Sequence, residues 1–189
     1  MGHKSNKALA ARVEALPRPT TTWQKWIVTG GGVGFLRPAP GSWGTVPPAI
    51  LYLLALIANW PDPSRSFALL GFGLIAAGLL IAYGKWAAAY FREPDPGSVI
   101  LDEYAGFAVT VAFISPPEWF TSHGTLGLFL FTAALYIIFR ATDSLKIPPS
   151  NYLEKLPWGW GVLCDDLSAG IQANLLARLL LYLLEHYAR

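Results

Sequence analysis

Residues 67–91 read FALLGFGLIAAGLLIAYGKWAAAYF, an apolar run in which Lys85 is the only charged side chain. At about 1.5 Å per residue, a helix of this length crosses the roughly 30 Å hydrocarbon core of a bilayer. The whole chain shares this bias. Of its 189 residues, 53% are hydrophobic and 14% are charged, whereas an average soluble domain has about 25% charged residues. The sequence therefore predicts a membrane protein.

Four shorter apolar stretches accompany this run, at residues 46–60, 104–114, 126–139 and 167–187. We interpret all five as helices. The stretch 104–114 is a plausible span only if it continues to Val99 or Trp119, and the last stretch contains Arg178. The predicted fold class is all-α, a multi-spanning integral membrane bundle with about four to five transmembrane or membrane-embedded helices. The alternative, a soluble domain with buried helices, is disfavoured because too few charged residues remain to solvate it.

The composition divides the chain into two parts. Residues 1–29 form a basic N-terminal arm in which Trp23 and Trp26 flank Lys25. Such amphipathic rings beside a cation are typical of an anchor at the membrane interface. Residues 30–189 hold all five apolar stretches, and we expect them to form the membrane-embedded domain.

Positive charge is distributed unequally between the two sets of loops. The loops at 61–66 and 115–125 contain one Lys or Arg, Arg65. The opposite loops are richer in cations, which are Arg37, Arg92, Arg140, Lys146 and Lys155. Because cytoplasmic loops are enriched in Lys and Arg, we expect the N-terminus and the second set of loops to be cytoplasmic. The tail ending in Arg189 would then lie outside.

Half of the acidic residues fall in segments at the predicted cytoplasmic ends of the spans. The four segments are 30–45 (GGGVGFLRPAPGSWGT), 95–106 (DPGSVILDEYAG), 140–149 (RATDSLKIPP) and 159–170 (GWGVLCDDLSAG). Their acids are Asp95, Asp102, Glu103, Asp143, Asp165 and Asp166. Carboxylates at a bilayer boundary are costly unless they are paired or bound to a cation. An all-oxygen set suits a hard cation such as Mg²⁺, and one Cys and three His are too few to favour zinc.

Two of these segments repeat one pattern, DEYAG at 102–106 and DLSAG at 166–170. Residues four apart share a helix face, so each Asp has a Gly one turn beyond it. Two such helices can approach closely with both acids at the same rim. For any single acid, a helix cap or an ion pair is the alternative interpretation.

Two further patterns point to anion binding. Arg140, Asp143 and Lys146 are spaced three apart, which predicts one helical stripe. One interpretation of that stripe is an ion-pair network at the membrane border. The other is a functional site in which the carboxylate binds a metal ion and the two cations bind phosphate. The loop at 38–45 presents Gly and hydroxyl residues before a predicted helix, where backbone N–H groups can hold an anion.

Four motifs in this order and spacing resemble the phosphatidylglycerophosphatase A family. They are PAPGSWGT, DPGS followed by LDE, FRATDSLKIPP and GWGVLCDDLSAG. The resemblance runs from about Gly30 into the last apolar stretch. It departs from the family pattern at Ile147, where the family usually has Pro after Lys.

The resemblance implies a bacterial inner-membrane enzyme that hydrolyses the terminal phosphomonoester of phosphatidylglycerophosphate with Mg²⁺ at the cytoplasmic face. The products would be phosphatidylglycerol and phosphate. The expected catalytic residues are Asp143, Asp166, Asp102 and Glu103, and Asp165 joins these four as a metal ligand. The expected substrate-binding residues are Arg140, Lys146, Arg37, Gly41, Ser42 and Thr45.

Several alternatives stay open at this point. The attacking group is a water or a carboxylate that forms an aspartyl-phosphate. A phosphatidyltransferase-like enzyme, a cation transporter and a structural membrane subunit are the rival functions. Nucleic acid is not an expected partner, because 14 basic and 12 acidic residues give a net charge of only +2. The expected partners are a phospholipid substrate and the membrane.

Overall fold

The computed structural model describes residues 9–153, 156 and 159–187, which leaves Lys155 and Arg189 outside the described residues. The described part is helical and contains no strand, so the all-α prediction is confirmed. The helices are α1 (Gln24–Val28), α2 (Pro40–Ile57), α3 (Ser64–Phe91), α4 (Leu101–Val111), α5 (Glu118–Ser122), α6 (Gly124–Leu145), α7 (Ser150–Leu153) and α8 (Gly159–Tyr187). Residues 9–14 are also helical, and Val33–Phe35 form a 3₁₀ turn.

Four helices, α2, α3, α6 and α8, are long and apolar enough to cross a membrane. Their outer faces expose large apolar side chains, for example Leu74 (74% exposed) and Ile75 (65%) on α3 and Leu175 (62%) on α8. Exposed apolar surface of this extent is typical of contact with lipid rather than water. The chain is therefore a membrane protein, and the soluble alternative is wrong.

Three of these helices extend well beyond the apolar stretches that predicted them. α2 begins at Pro40, six residues before the stretch 46–60, because proline is preorganised for the first helical position. α6 continues past Phe139 to Leu145, and α8 begins at Gly159 rather than Leu167. The added turns contain the polar segments. Charged residues that looked like loop residues in the sequence therefore lie on helices.

The stretch 104–114 does not form a full span. Its helix, α4, has 11 residues and is therefore only about 16 Å long. It ends at Val111, and the chain continues through an extended Ala112 and through Phe113, whose φ is +54°. The crossing is completed by an irregular segment within the bundle.

Side chains of α8 bind the carbonyl groups at the end of α4. Asn174 Nδ2 and Arg178 Nη2 donate hydrogen bonds of 2.8–3.1 Å. The accepting carbonyls belong to Val109, Thr110, Ala112 and Phe113. Backbone groups without partners are costly in a bilayer. Arg178, which was unexpected inside a predicted span, therefore stabilises the end of a half-length helix.

The same irregular segment is bound from its other side by α2 and α3. Tyr52 Oη and Arg65 Nη2 donate to the Ile114 carbonyl at 2.8 and 3.1 Å. Arg65 also pairs with Asp62 at 2.5 Å. Burial raises the pKa of Asp62, but hydrogen bonds from Ser115 and Ser66 and the Arg65 charge outweigh it, so the pKa is lowered. The Ile114 carbonyl and the Asp62 carboxylate at this end of the bundle thus have partners within the protein.

The backbones of α4 and α8 approach each other closely. A Cβ placed on Gly106 would lie 2.8 Å from the Asp166 carbonyl oxygen, and one on Gly170 would overlap the Gly106 carbonyl oxygen. These are the glycines of the repeated pattern. Its prediction of close helix packing is confirmed.

We expect Gly170→Ala to destabilise the protein by about 1–3 kcal/mol, because the added methyl group meets rigid backbone. Thermal unfolding in detergent measures the effect. Gly78→Ala is the matched control, since a Cβ at Gly78 has no neighbour within 4 Å. Equal melting temperatures for the two variants would contradict the close contact between α4 and α8.

We expect Asn174→Leu to lower the free energy of unfolding by at least about 2 kcal/mol. It removes the Asn174 donor from the Thr110 carbonyl and the Asn174 acceptor from Arg178 Nε, and each lost partner costs about 1–3 kcal/mol. The neighbouring substitution Leu175→Met, on a lipid-facing position, should change stability by less than about 0.5 kcal/mol. An Asn174→Leu protein as stable as the wild type would show that the end of α4 does not depend on this side chain.

Candidate active site

Four helix ends meet at one end of the bundle. They are the first turns of α2 and α4, the last turns of α6 and the second turn of α8. Glu103 on α4 contacts Thr45 on α2 and Arg140 on α6. Asp143 on α6 lies close to Asp165 on α8. The structure therefore brings the four polar segments of the sequence together, although they are separated by up to about 120 residues.

Three carboxylates form a compact group that we call the acid trio: Asp143, Asp165 and Asp166. One oxygen from each lies within 4.8 Å of the other two. Asp165 and Asp166 are buried, at 5% and 6% exposure. Lys146 Nζ contacts Asp165 Oδ2 at 2.9 Å. The buried Asp166 Oδ2 has no hydrogen-bond partner within the described residues.

Glu103 lies beside the acid trio and is held by two donors. Arg140 Nη1 contacts Glu103 Oε2 at 2.5 Å, and Thr45 Oγ1 donates to the same oxygen at 3.0 Å. Arg140 Nη1 also contacts Asp143 Oδ2 at 3.1 Å. Arg140 thus links Glu103 to the acid trio, and both donors contact the same oxygen of Glu103, Oε2.

Asp102 occupies the first turn of α4 next to Glu103. Because α4 begins at Leu101, both acids lie where the helix starts, which is the condition for them to serve one site. Asp102 is buried, and its Oδ1 has no hydrogen-bond partner in the described part of the chain. Asp166 interacts electrostatically with Asp102, with Glu103 and with the rest of the acid trio. Two described cations, Arg140 and Lys146, face these five acids, so negative charge is in excess.

The N-terminus of α2 is packed directly against this cluster. A Cβ on Gly41 would overlap Glu103 Oε1 and would lie 3.2 Å from Arg140 Nη2. The first backbone hydrogen bond of the helix joins Trp43 N–H to the Ala39 carbonyl. The N–H groups of Gly41 and Ser42 precede it and have no partner within the helix. Glycine at 41 lets this positively polarised helix end approach the acids.

Not every expected site residue lies where the sequence suggested. Lys146 ends α6 with φ +45°, so it leaves the predicted Arg140–Asp143 stripe and reaches Asp165 on α8. Arg37 lines a separate cavity of about 430 Å³, whose acidic lining residue is Glu93 rather than any of the five clustered acids. Arg92 donates to backbone carbonyls at residues 13–16 of the N-terminal arm. The capping alternative is wrong for Asp165 and Asp166, because α8 begins six residues earlier.

Two residues of the site were missed in the sequence. Tyr136 Oη donates to the Ser42 carbonyl at 3.0 Å and ties α6 to the first turn of α2. Thr142 Oγ1 donates to the Ala169 carbonyl at 3.1 Å and ties α6 to α8. Tyr136 precedes Arg140 by four residues, so helical spacing was the available signal.

Comparisons with known proteins identify the family of this chain. A family described as Phosphatidylglycerophosphatase A matches residues 26–181. A Haemophilus influenzae protein named Phosphatidylglycerophosphatase A is 30% identical over 78% of this chain and 82% of its own length. A Bacteroides thetaiotaomicron protein, provisionally named a phosphatidylinositol-3-phosphatase, is 29% identical over 79% of this chain and 88% of its own. The Escherichia coli Phosphatidylglycerophosphatase A is 23% identical over 77% of this chain and 76% of its own.

The matched region contains the whole acid cluster and the first turn of α2. No solved structure matches the chain significantly. The family match covers more than half of the chain, and the relatives match over most of their own length. The chain therefore belongs to the phosphatidylglycerophosphatase A family and is an enzyme that hydrolyses phosphoric monoesters.

Proposed function

We propose that this enzyme hydrolyses the terminal phosphomonoester of phosphatidylglycerophosphate at the cytoplasmic face of the bacterial inner membrane, with Mg²⁺ as its cofactor. The observation that carries the proposal is the gathering of the acid trio, two cations and a helix N-terminus at one end of a membrane bundle. The family and two relatives named Phosphatidylglycerophosphatase A support the substrate.

The acid trio has the donor chemistry that Mg²⁺ requires. Its three carboxylate oxygens lie close together, and hard oxygen donors are the ligands that Mg²⁺ prefers. The buried Asp166 Oδ2, which lacks a hydrogen-bond partner among the described residues, and the excess negative charge both call for a cation. Asp143, Asp165 and Asp166 would hold the ion, with Asp102 and Glu103 beside them. A bound Mg²⁺ supplies positive charge that offsets the phosphoryl oxygens.

The cations and the start of α2 would bind the phosphate. Lys146 approaches the acid trio as a point charge, whereas the planar Arg140 guanidinium is already oriented by Glu103 and Asp143. The free N–H groups at Gly41 and Ser42 add donors without adding charge. Together these groups position a phosphate group beside the carboxylates, and Thr45 keeps Glu103 in place.

Asp102 is placed to handle a proton. Its buried Oδ1 has no hydrogen-bond partner among the described residues, so it is an acceptor available to an attacking water. In this proposal, Asp102 Oδ1 takes the proton of the water that attacks phosphorus. The bond from phosphorus to the glycerol oxygen breaks on the opposite side, in line with the attack, and that oxygen takes a proton from solvent water to give the free hydroxyl.

The distribution of cations supports the proposed orientation. Arg37, Arg92 and Lys146 lie toward the end of the bundle that holds the acids. At the opposite end, Arg65 is buried and paired with Asp62. By the positive-inside rule, the end with the acids faces the cytoplasm.

We expect Asp166→Asn and Asp143→Asn each to reduce phosphate release from phosphatidylglycerophosphate by at least about 100-fold, or about 2.7 kcal/mol of barrier. Each should also weaken Mg²⁺ affinity by at least about 10-fold, measured as the Mg²⁺-dependent rise in melting temperature. Glu118→Gln, an exposed site at the other end of the bundle, is the control for loss of one charge.

Full activity in both Asn variants would contradict the proposed site. Activity that survives complete chelation would contradict the Mg²⁺ requirement. Phosphatidate, phosphatidylinositol 3-phosphate and a soluble phosphomonoester should be assayed in parallel. Faster hydrolysis of phosphatidylinositol 3-phosphate than of phosphatidylglycerophosphate would contradict the proposed substrate and favour the one for which the Bacteroides relative is named.

We expect cysteine labelling to place the two ends of the bundle on opposite sides of the membrane. In a Cys164→Ser background, Ser122→Cys should react with an impermeant maleimide in right-side-out spheroplasts. Glu93→Cys should react only after permeabilisation. Labelling of Glu93→Cys in intact spheroplasts would reverse the proposed orientation.

A further inference from the structure

An apolar furrow of about 290 Å³ runs along the outside of the bundle between α2 and α6. On α2 it is lined by Val46, Ala49 and Leu53, and on α6 by Phe129, Ala133 and Tyr136. The spacings of three, four and seven residues place each set on one helix face. Ala49 and Ala133 have small side chains, so they leave space between the larger lining residues that precede and follow them on each helix. We call this feature the α2–α6 furrow.

The furrow presents carbon rather than polar atoms to the membrane. Thr132, which also lines it, donates its hydroxyl to the Leu128 carbonyl at 2.9 Å. Tyr136 donates its hydroxyl to the Ser42 carbonyl at 3.0 Å. Both hydroxyl groups are thus satisfied within the protein, so the surface that remains suits a hydrocarbon chain.

One end of the furrow lies about one helical turn from the candidate active site. Tyr136 lies one turn before Arg140 on the same face of α6. Val46 follows Thr45, whose hydroxyl donates to Glu103. A molecule whose phosphate lies beside Arg140 would find the furrow directly below it. The first and last lining residues of each helix are seven positions apart, which corresponds to about 10 Å along the helix.

We propose that the α2–α6 furrow binds an acyl chain of the phospholipid substrate while its headgroup occupies the acid site. This inference rests on the proposed function. It adds the surface at which the lipid enters and the residues that limit the width available to its acyl chain. The furrow holds the part of the chain nearest the glycerol. Residues 49 and 133 set the width of the furrow, and bulk at either position excludes the chain.

A second apolar cavity competes for this role. It has about 310 Å³, lies between α3, α4 and α8, and is lined by Gly73, Ala108 and Leu167 among others. The α2–α6 furrow is favoured because the helices that form it also carry Arg140 and Gly41, which face the proposed phosphate position.

The test compares Ala133→Leu with Ala134→Leu. Ala133 lines the furrow, whereas Ala134, the next residue on α6, is exposed on another face. With long-chain phosphatidylglycerophosphate in mixed micelles, we expect Ala133→Leu to raise KM about tenfold, or about 1.4 kcal/mol, with kcat nearly unchanged. Ala134→Leu should match the wild type. With four-carbon acyl chains, all three proteins should share one KM.

An unchanged long-chain KM in Ala133→Leu overturns the furrow proposal. An equal rise in KM for both substrates also overturns it, because the substitution would then act through the headgroup site. Wild-type protein that releases no phosphate from either substrate overturns the proposed function instead. The two failures are therefore distinguishable.

Photolabelling provides a measurement that does not depend on turnover. The intact protein, without added metal, is irradiated with a phosphatidylglycerophosphate analogue that carries a diazirine on one acyl chain. We expect the label on Leu53 and Phe129, displaced by unlabelled phosphatidylglycerophosphate but not by phosphatidylethanolamine. Label on Gly73 or Leu167 instead, or label distributed evenly over the lipid-facing helices, overturns the proposal.

Discussion

The backbone contact between Gly106 and Gly170 is the constraint on which the rest of the structure depends. It holds α4 and α8 together one turn beyond Asp102 and Asp166, and so places these two acids beside each other at one rim. One turn further along α8, Asn174 reaches the last carbonyls of α4. A side chain larger than hydrogen at either glycine would separate the acids and also remove the capping donor from its acceptors.

Polar groups in this bundle serve two separate purposes. At one end, Asn174, Arg178 and Arg65 satisfy the backbone where α4 stops short of a full crossing. At the other end, carboxylates outnumber the described cations, and the buried Asp166 Oδ2 has no hydrogen-bond partner among the described residues. Because an unpaired polar group in an apolar medium is costly, the first set stabilises the fold, whereas the second set supports the cation site that we propose.

Much of the fold and the site was predictable, and the misses have physical causes. Hydropathy located four spans because lipid contact requires apolar surface over about 20 residues. It could not detect that α4 stops at Val111, because the apolar composition continues through Ile114 and the stop depends on donors 64 and 66 residues later in the chain. Likewise, Lys146 was placed on a helical stripe, but the helix ends there and the side chain turns to Asp165.

The sequence by itself determined that the chain is a helical membrane protein, which segments share one end of the bundle, and which family it resembles. Because successive spans run in opposite directions, every second loop must lie at the same end of the bundle. The tertiary structure decided which acids form the trio, which acid is held by Arg140 and Thr45, and where a furrow meets the site. Those outcomes depend on distances between helices, which are set by side-chain volumes at their contacts and not by spacing along any one of them.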